Sequence, residues 1–432
     1  MQGITSPSGE IDALEAAALQ AAQSGRDGDA VRHWNRILEI DPKHVRALSA
    51  LGQRAFRQGD MYAARAAFQR IVSVDGTIPQ QWIQLAVTCR NLKDDAAEDV
   101  AIQNALKINP RELVALLLRG NLAERRGRTH EASHAYGAAA AVAPPAPQLP
   151  SDLRPALAAA SAYVESYNRE KGRFLDAFLD RHYQALAGEN LDRFRTSVDI
   201  MVGRKKRYDS QSMMYHFPQL APIEFFDRGL FPWIGMLEAA TDVIREEFLG
   251  VLRTEEGFTP YISYPAGVPL AQFAELNNSP RWNAFHLFKA GTRVDANAAR
   301  CPKTMAVLAQ VPQPDQPGRT PAAMFSLLQP KTEIPPHVGV SNVRLVTHLA
   351  LVIPEGCTFR VGNDVRQWVP GHAWVFDDTI EHMARNDSDK LRVVFIFDVW
   401  HPHLTPPERA LITALGAGID AYFDGFDVDS LQ

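Results

Sequence analysis

Apolar and polar positions follow two different periods along the chain. Between residues 11 and 200, apolar residues recur every three or four positions, and short polar turns such as Arg57-Gln58-Gly59-Asp60 separate the early segments. This spacing puts apolar side chains on one face of a helix, so the region is predicted to be helical. From about residue 285 to residue 400, short apolar runs alternate with Gly, Pro and Asp turns, which predicts a series of strands.

The first third of the chain repeats with a period of 34 residues. Four columns of residues agree on this period: one rich in proline, one of mostly alanine, one of large apolar residues and one of small residues. They are Pro42, Gly76, Pro110 and Pro144; Ala30, Ala64, Glu98 and Ala132; Trp34, Phe68, Ile102 and Tyr136; and Gly52, Ala86 and Gly120.

Over residues 11–146 this period and pattern resemble about four tetratricopeptide repeats. The resemblance implies an all-α solenoid of helical pairs, in which stacking buries apolar faces that one pair alone would expose. It also implies a concave surface that binds a peptide or a partner protein. The alternative is a scaffold or spacer with no ligand of its own.

The remaining boundaries follow from composition. APPAPQLP at residues 143–150 breaks the last repeat helix, and residues 147–204 are predicted to form a helical linker. Residues 205–411 form the predicted second domain, followed by a C-terminal tail at 412–432. Its short strands favour an antiparallel double-sheet barrel or jelly roll, which makes the protein an α+β multidomain chain.

Two predicted strands carry charged residues among apolar ones. Side chains alternate along a strand, so Arg344, Val346 and His348 share one face of the first, and Arg392 and Asp398 share one face of the second. The pattern does not decide which face points into the barrel. An inward arginine would need an anionic partner, because an unpaired buried guanidinium is costly.

The candidate metal ligands are His337 and His382, since neutral imidazole suits iron, zinc or copper. The spacing alone is not specific, because the chain has 13 histidines. The acidic turn before His382 offers three carboxylates that could also reach a metal, although a structural role is favoured for them: Asp377, Asp378 and Glu381. His401 and His403 follow the last strand in a proline-rich segment, where no ligand role is favoured.

The stretch from about Trp282 to Leu411 resembles the aspartyl/asparaginyl β-hydroxylase family. The matching segments are CPKT at 301–304, SLLQPKTEIPPHVGVSNVRLVTHLALVIPEGC, VFDDTIEHMARN and LRVVFIFDVWHPHLTPPE. The resemblance implies a double-stranded β-helix (cupin-like) oxygenase that uses iron(II), 2-oxoglutarate and dioxygen to hydroxylate an unactivated carbon.

The resemblance also implies roles for individual residues. His337 and His382 would bind iron, and Gly339 stands where related oxygenases have a carboxylate ligand. The implied contacts to 2-oxoglutarate are Trp282, Ser326, His348 and Arg392. Each has a plainer alternative: Arg392 could pair with Asp398 or Glu381, and the other three could serve packing or strand hydrogen bonds.

One departure from the family pattern concerns the substrate. Val346 stands where animal members have an arginine, whereas the neighbouring family arginine is kept as Arg344, a candidate substrate contact. The expected substrate is the β-carbon of an aspartyl or asparaginyl residue in a peptide or protein. The alternatives are a free or carrier-bound amino acid, a lipid, or a non-catalytic scaffold that works through its repeats.

Charge and composition narrow the remaining classes. The net charge of −5 gives no electrostatic case for nucleic acid or an anionic membrane. No apolar run approaches the roughly 18 to 20 residues that span a bilayer, and the N-terminus does not read as a signal peptide. Three scattered cysteines suggest a reducing compartment, so a cytoplasmic protein is expected.

Overall fold

The chain divides into two units between Arg204 and Lys205. The computed structural model describes residues 7–265, 267, 271–316 and 318–423 of the 432. Within these residues, no helix combines the length and apolar character needed to cross a membrane. Residues 424–432, part of the predicted tail, lie outside the described residues.

Ten helices make up the described part of the first unit, and the first eight form antiparallel pairs. They are α1 (Pro7–Gln23), α2 (Asp27–Ile40), α3 (Val45–Arg57), α4 (Met61–Val74), α5 (Pro79–Asn91), α6 (Asp95–Ile108), α7 (Leu113–Arg125), α8 (Thr129–Val142), α9 (Arg154–Ala185) and α10 (Asp192–Met201). The region resembles tetratricopeptide-repeat solenoids, as the repeat columns predict.

The repeat columns have direct packing reasons. A Cβ atom at Gly52 would meet the ring of Phe68 at 2.9 Å, and one at Gly120 would overlap the ring of Tyr136. The small residue is therefore needed where a large one from the second helix of the pair crosses it. Asp60 and Asp94, which are 34 residues apart, each accept a hydrogen bond from the third backbone amide beyond them and so start α4 and α6.

The long helix α9 packs on the last repeat. Ala160 is buried in the same apolar cluster as Ala139 of α8, and the rings of Tyr163 and Tyr136 meet edge to face at 5.3 Å between centroids. The segment predicted to be a helical linker therefore extends the helical unit.

The described part of the second unit combines eleven strands with five α-helices. The strands are β1 (Phe258–Pro260), β2 (Trp282–Lys289), β3 (Thr292–Arg293), β4 (Ala323–Leu328), β5 (Thr332–His337), β6 (Arg344–Val352), β7 (Cys357–Val361), β8 (Asp364–Gln367), β9 (Ala373–Phe376), β10 (His382–Asn386) and β11 (Arg392–Trp400). The helices are α11 (Ile234–Ala239), α12 (Thr241–Leu252), α13 (Asp295–Ala298), α14 (Pro302–Leu308) and α15 (Pro406–Phe423).

The strands form two antiparallel sheets. The larger has the order β1-β2-β4-β11-β6-β9, with β3 also pairing with β2, and the smaller has the order β5-β10-β7-β8. The antiparallel double-sheet part of the fold prediction is therefore confirmed.

The two faces of the larger sheet have different partners. On β6 and β11, Leu345, Leu349 and Phe395 belong to the apolar cluster that contains Leu237 of α11 and Phe248 of α12. The opposite face belongs to a second cluster shared with the smaller sheet, whose members include Val346, Ala350, Val394, Phe359 and Val361. The face of β6 with Arg344 and His348, and the face of β11 with Arg392, therefore lie on the side toward the smaller sheet.

The last helix crosses a boundary expected from the sequence. The predicted oxygenase domain ends at residue 411, but α15 continues to Phe423. The helix is held by Ile412, which is buried in a cluster with Val343, Trp400 and Leu404. The apolar residues beyond 411 therefore belong to a helix that packs on the sheet unit.

Candidate active site

The two candidate metal ligands face each other on adjacent strands of the smaller sheet. His337 ends β5, His382 begins β10, and the two residues are register partners in the antiparallel pair. Their ring centroids are 4.1 Å apart. The pairing therefore brings together two side chains that are 45 positions apart in the sequence.

Both imidazoles are held in the same way. Nδ1 of His337 donates to the carbonyl of Pro335 at 2.8 Å, and Nδ1 of His382 donates to the carbonyl of Ile380 at 3.0 Å. A hydrogen bond from one ring nitrogen to a backbone carbonyl fixes the tautomer and leaves Nε2 as the acceptor, as in metal-binding histidines. Burial lowers the pKa of both rings below the usual range, which keeps them neutral and able to bind a metal.

Gly339 lies against the carboxylate of Asp378. A Cβ atom at position 339 would overlap that carboxylate. Glycine is therefore the residue that leaves room for the Asp378 side chain in this position. The amide of Gly339 also donates to the carbonyl of Asp378 at 2.6 Å. Asp378 Oδ1 has no hydrogen-bond partner among the described residues, although it is buried.

The other two acidic residues of this turn have structural partners. Asp377 accepts hydrogen bonds from the amide and the hydroxyl of Thr379, and burial raises its pKa to about 6. Glu381 pairs with Arg360 at 2.8 Å. Of the three carboxylates, therefore, Asp378 is the one that lies against Gly339, two residues after His337.

Arg392 is a buried cation without an anionic partner among the described residues. Its exposed fraction is 2%, and its hydrogen bonds to described residues are two long ones, from Nη1 to the carbonyl and the hydroxyl of Ser326 at 3.4 Å. Its Nε donates to no described acceptor. Burial lowers its pKa to about 10, so the guanidinium still carries its charge at neutral pH. Neither Asp398 nor Glu381 pairs with it in the structure.

The residues around Arg392 also carry unused polar atoms. The guanidinium lies 5.0 Å from the ring centroid of Trp368, and the ring of His348 lies 6.0 Å from the same tryptophan. The side-chain nitrogens Trp368 Nε1 and His348 Nδ1 are buried with no described partner. Burial, together with the nearby charge of Arg392, holds the pKa of His348 well below its usual range. A ligand with several acceptor oxygens would satisfy these groups.

The remaining expected contacts lie in the same region. Trp282 Nε1 donates to Ser326 Oγ at 3.2 Å, and the indole stacks on Tyr261 with centroids 4.0 Å apart. The centroids of Trp282 and His337 are 6.4 Å apart. The structure therefore groups Trp282, Ser326 and Arg392 on neighbouring strands of the larger sheet.

Arg344 differs from Arg392 in having partners. Its guanidinium bonds to Asp378 at 3.0 Å and to Asp398 at 3.1 Å, and all three side chains are at most 14% exposed. Burial alone would lower the pKa of Arg344, but the two carboxylates outweigh that effect and raise it. Val346, two residues along β6, is 8% exposed and belongs to the apolar cluster between the sheets.

Two site features were missed or undervalued by sequence reasoning. Trp368 lies in RQWVPG, where no periodicity marks it, and only the fold brings it to Arg392. Asp378 was expected to be structural, but its free Oδ1 beside Gly339 gives it a place at the site.

His401 is fully buried, packs edge to face on Phe226 and accepts from the amide of His403, which agrees with a structural role.

Comparisons with known proteins agree on this unit. The family model described as aspartyl/asparaginyl beta-hydroxylase matches residues 238–402, which include all seven predicted site residues. The human protein named aspartyl/asparaginyl beta-hydroxylase is 33% identical over 190 residues, covering 44% of this chain and 24% of that protein. This chain thus spans about a quarter of that relative's length.

A bacterial relative is covered more fully, and a solved structure matches the helical unit. The Rhizobium tropici protein named ornithine lipid ester-linked acyl 2-hydroxylase is 32% identical over 209 residues, covering 48% of this chain and 70% of that protein. A crystal structure of MamA protein matches 42% of this chain and 96% of its own, with 18% identity and a TM-score of 0.33. On the strength of the family model and the breadth of the match to the Rhizobium relative, this chain belongs to the aspartyl/asparaginyl β-hydroxylase family.

Proposed function

We propose that residues 205–411 form a double-stranded β-helix oxygenase that uses iron(II) and 2-oxoglutarate to hydroxylate an unactivated carbon. The observation that carries this proposal is the unpaired Arg392, buried on the sheet face that looks toward the neutral histidine pair. Removing a charge from water without a partner is costly, so such a group is retained where a ligand supplies the opposite charge.

The side chains fit the two absent groups. His337 and His382 would hold iron through Nε2, because Nδ1 of each is already used. Arg392 would pair with the distal carboxylate of 2-oxoglutarate, and Ser326 would add a hydrogen bond from its hydroxyl. When bound, iron(II) and 2-oxoglutarate supply dioxygen activation, with one oxygen atom entering the substrate C–H bond and the other entering succinate as carbon dioxide leaves.

Three further groups of the chain would position these ligands. Trp282 holds the Ser326 hydroxyl through its indole N–H. The neutral His348 and the indole of Trp368 present unused nitrogens near Arg392, and we assign them to the oxygen atoms of 2-oxoglutarate. Asp378 Oδ1 would accept a hydrogen bond from a water beside the histidine pair, where related oxygenases place a carboxylate ligand.

The first candidate substrate is an aspartyl or asparaginyl residue of a peptide or protein. The name of the human relative supports it. The helical unit supports it as well, since a concave repeat surface suits a peptide or a protein partner better than a small molecule.

The second candidate substrate is an acyl lipid, and a specific observation favours it. The backbone amides of Met213 and Met214 donate to the carbonyls of Gly339 and Val340. Exposed apolar side chains therefore lie beside the segment that follows His337. Met213 is 71% exposed and Met214 is 78% exposed. In addition, Arg344 is already bound by two carboxylates, so a substrate carboxylate would compete with them. The Rhizobium relative is named for acyl hydroxylation.

The deciding experiment measures succinate release with iron(II), 2-oxoglutarate and a substrate panel. The panel contains Asp- and Asn-containing peptides, free amino acids and acyl lipids, and one class should stimulate release above the uncoupled rate. His337→Ala and His382→Ala should abolish release, whereas His372→Ala, at a histidine that is 64% exposed, should leave it unchanged.

A binding measurement separates the oxygenase from a non-catalytic scaffold. Anaerobic titration of the wild-type protein with iron(II) and 2-oxoglutarate should produce the weak visible charge-transfer band of the ternary complex. If no band forms in correctly folded protein, the oxygenase proposal fails and the sheet unit acts only as a binding module.

A further inference from the structure

The helical unit contains an apolar groove between the first helices of two consecutive repeats. The groove has a volume of about 280 Å³ and is lined by residues of α3, α4 and α5: Gln53, Phe56, Arg57, Phe68, Ile83, Gln84 and Val87. Phe68 is 3% exposed and forms the floor, while Phe56, Ile83 and Val87 pack on the same core but stay partly exposed. A volume of this size accommodates an apolar side chain.

Arginines that form no ion pair with a described residue lie at the groove and beside it. Arg57 lines the groove, Arg54 lies one turn before Arg57 on α3, and Arg90 lies one turn beyond Val87 on α5. None of the three forms an ion pair with a described carboxylate, and the buried Nε of Arg54 has no described hydrogen-bond partner. The carboxylates near this end of the repeats are engaged elsewhere: Asp60 begins α4, and Asp94 begins α6 and pairs with Arg65.

Two arginines of the next repeat, by contrast, have carboxylate partners. At the end of α7, Arg125 pairs with Asp95 at 3.0 Å and with Glu98, and Arg126 pairs with Asp99 at 3.0 Å. Arg125 and Arg126 are therefore held in ion pairs, whereas Arg57 and Arg90 form no ion pair with a described carboxylate. Positive charge beside an apolar pocket is complementary to an acidic ligand with an apolar side chain.

We infer that this groove binds an acidic peptide segment of a partner protein, with one aliphatic or aromatic side chain inserted over Phe68. Carboxylates on either side of that anchor pair with Arg57 and Arg90. The side-chain amides of Gln53 and Gln84 are placed at the rim to bond to the peptide backbone. This binding site is independent of the oxygenase chemistry proposed for the second unit.

The test uses the whole 432-residue chain and three fluorescein-labelled peptides, each roughly twelve residues long so that an extended chain crosses both helices. The first has a central leucine flanked by glutamates, the second has serine in place of the leucine, and the third has lysines in place of the glutamates. Fluorescence anisotropy should show binding of the first, weaker binding of the second and no binding of the third. Salt at about 0.5 M should weaken the first complex, because exposed charge pairs are screened.

Variants locate the site on the protein. Arg57→Ala combined with Arg90→Ala should weaken binding of the first peptide by about tenfold or more, since charge-assisted hydrogen bonds are lost. Val87→Trp, which fills the groove, should do the same without changing charge. Arg119→Ala is the matched control, because Arg119 is an exposed arginine on α7 that lines no part of the groove.

Each outcome of these measurements either supports the proposed peptide site or contradicts it. Loss of binding in both variant proteins, with normal thermal unfolding and an unchanged Arg119→Ala control, supports the site. Equal binding of the acidic and basic peptides overturns it, as does wild-type affinity in the Val87→Trp protein or failure of all three peptides to bind.

Discussion

Two arginines of the same sheet, Arg344 with a side chain 14% exposed and Arg392 fully buried, have opposite surroundings. Arg344 begins β6 and lies between the carboxylates of Asp378 and Asp398, whereas Arg392 begins β11 and has no described carboxylate partner. The pKa values move accordingly: the two carboxylates raise that of Arg344, and burial lowers that of Arg392 to about 10. The pattern of apolar and polar residues along the two strands does not predict this difference.

The difference separates a structural charge from a ligand-binding one. A buried arginine with two carboxylates fixes the strands and turns that carry them, because all three groups depend on one another. A buried arginine without a partner destabilises the ligand-free fold. Its presence is explained by a ligand that supplies the negative charge. Arg344 therefore belongs to the framework that holds Asp378 beside Gly339, and Arg392 belongs to the proposed cosubstrate site.

The largest effect on stability is expected for Arg344→Met. The substitution leaves Asp378 and Asp398 buried without their cation, and breaking such a group from one side costs about 3 to 5 kcal/mol. Chemical denaturation at neutral pH should show this loss in the free energy of unfolding. A stability equal to that of the wild type would mean that the two carboxylates do not need Arg344.

The same variant should have a characteristic pH dependence. Burial already raises the pKa of Asp398 in the wild type, and loss of Arg344 raises it further. A carboxyl group with a raised folded-state pKa destabilises the protein above that pKa, and the cost disappears as the pH falls toward the unfolded value of about 4. The stability difference between variant and wild type should therefore shrink as the pH is lowered from 7 toward 5.

Arg392→Met should give the opposite pattern. Affinity for 2-oxoglutarate should fall by about 2 to 5 kcal/mol, measured by anaerobic titration, because the proposed carboxylate partner is lost. The ligand-free protein should be as stable as the wild type or more stable, since an unpaired buried charge is removed. Arg385→Met is a suitable control, because Arg385 is 48% exposed on β10 and should affect neither measurement. Unchanged 2-oxoglutarate affinity would remove Arg392 from the site.

Gly339→Ala should lower the free energy of unfolding by less than Arg344→Met does. The added methyl group overlaps the Asp378 carboxylate, so that side chain must move and its bond to Arg344 weakens. Overpacking of this kind costs about 1 to 3 kcal/mol in the free energy of unfolding. Gly418→Ala in α15 is the matched control, since its new Cβ would meet no heavy atom within 4 Å. Equal unfolding free energies for the two variants would show that Asp378 relaxes without cost.

The sequence predicted local features better than contacts between distant segments. The 34-residue columns predicted the helical pairs, because each column records one packing contact repeated along the chain. The period-two pattern correctly placed Arg344, Val346 and His348 on one strand face. It could not show that this face looks toward the smaller sheet, because both faces of β6 are apolar enough to be buried.

The features that distinguish the two arginines depend on long-range contacts. Asp378 and Asp398 are 34 and 54 residues from Arg344, and no local pattern links them. The overlap between position 339 and Asp378 exists only after β5 and β10 have paired. Trp368 approaches Arg392 only through the order of strands in the two sheets. For this reason the sequence resemblance could name candidate site residues, but it could not show which of their charges are already paired.

The smallest expected effect is that of Ser326→Ala, which tests the proposed 2-oxoglutarate site around Arg392 without removing a charge. Ser326 Oγ accepts from the indole of Trp282 at 3.2 Å and lies 3.4 Å from Nη1 of Arg392. Its loss should weaken 2-oxoglutarate binding by about 1 kcal/mol, or roughly fivefold, as for one neutral hydrogen bond. Thr347→Ala is a useful control, since that hydroxyl is also buried on the larger sheet, but its residue is on the opposite face of β6 from His348. If both variants weaken 2-oxoglutarate binding equally, the effect comes from the sheet as a whole; if only Ser326→Ala does, its hydroxyl contacts the same ligand as Arg392.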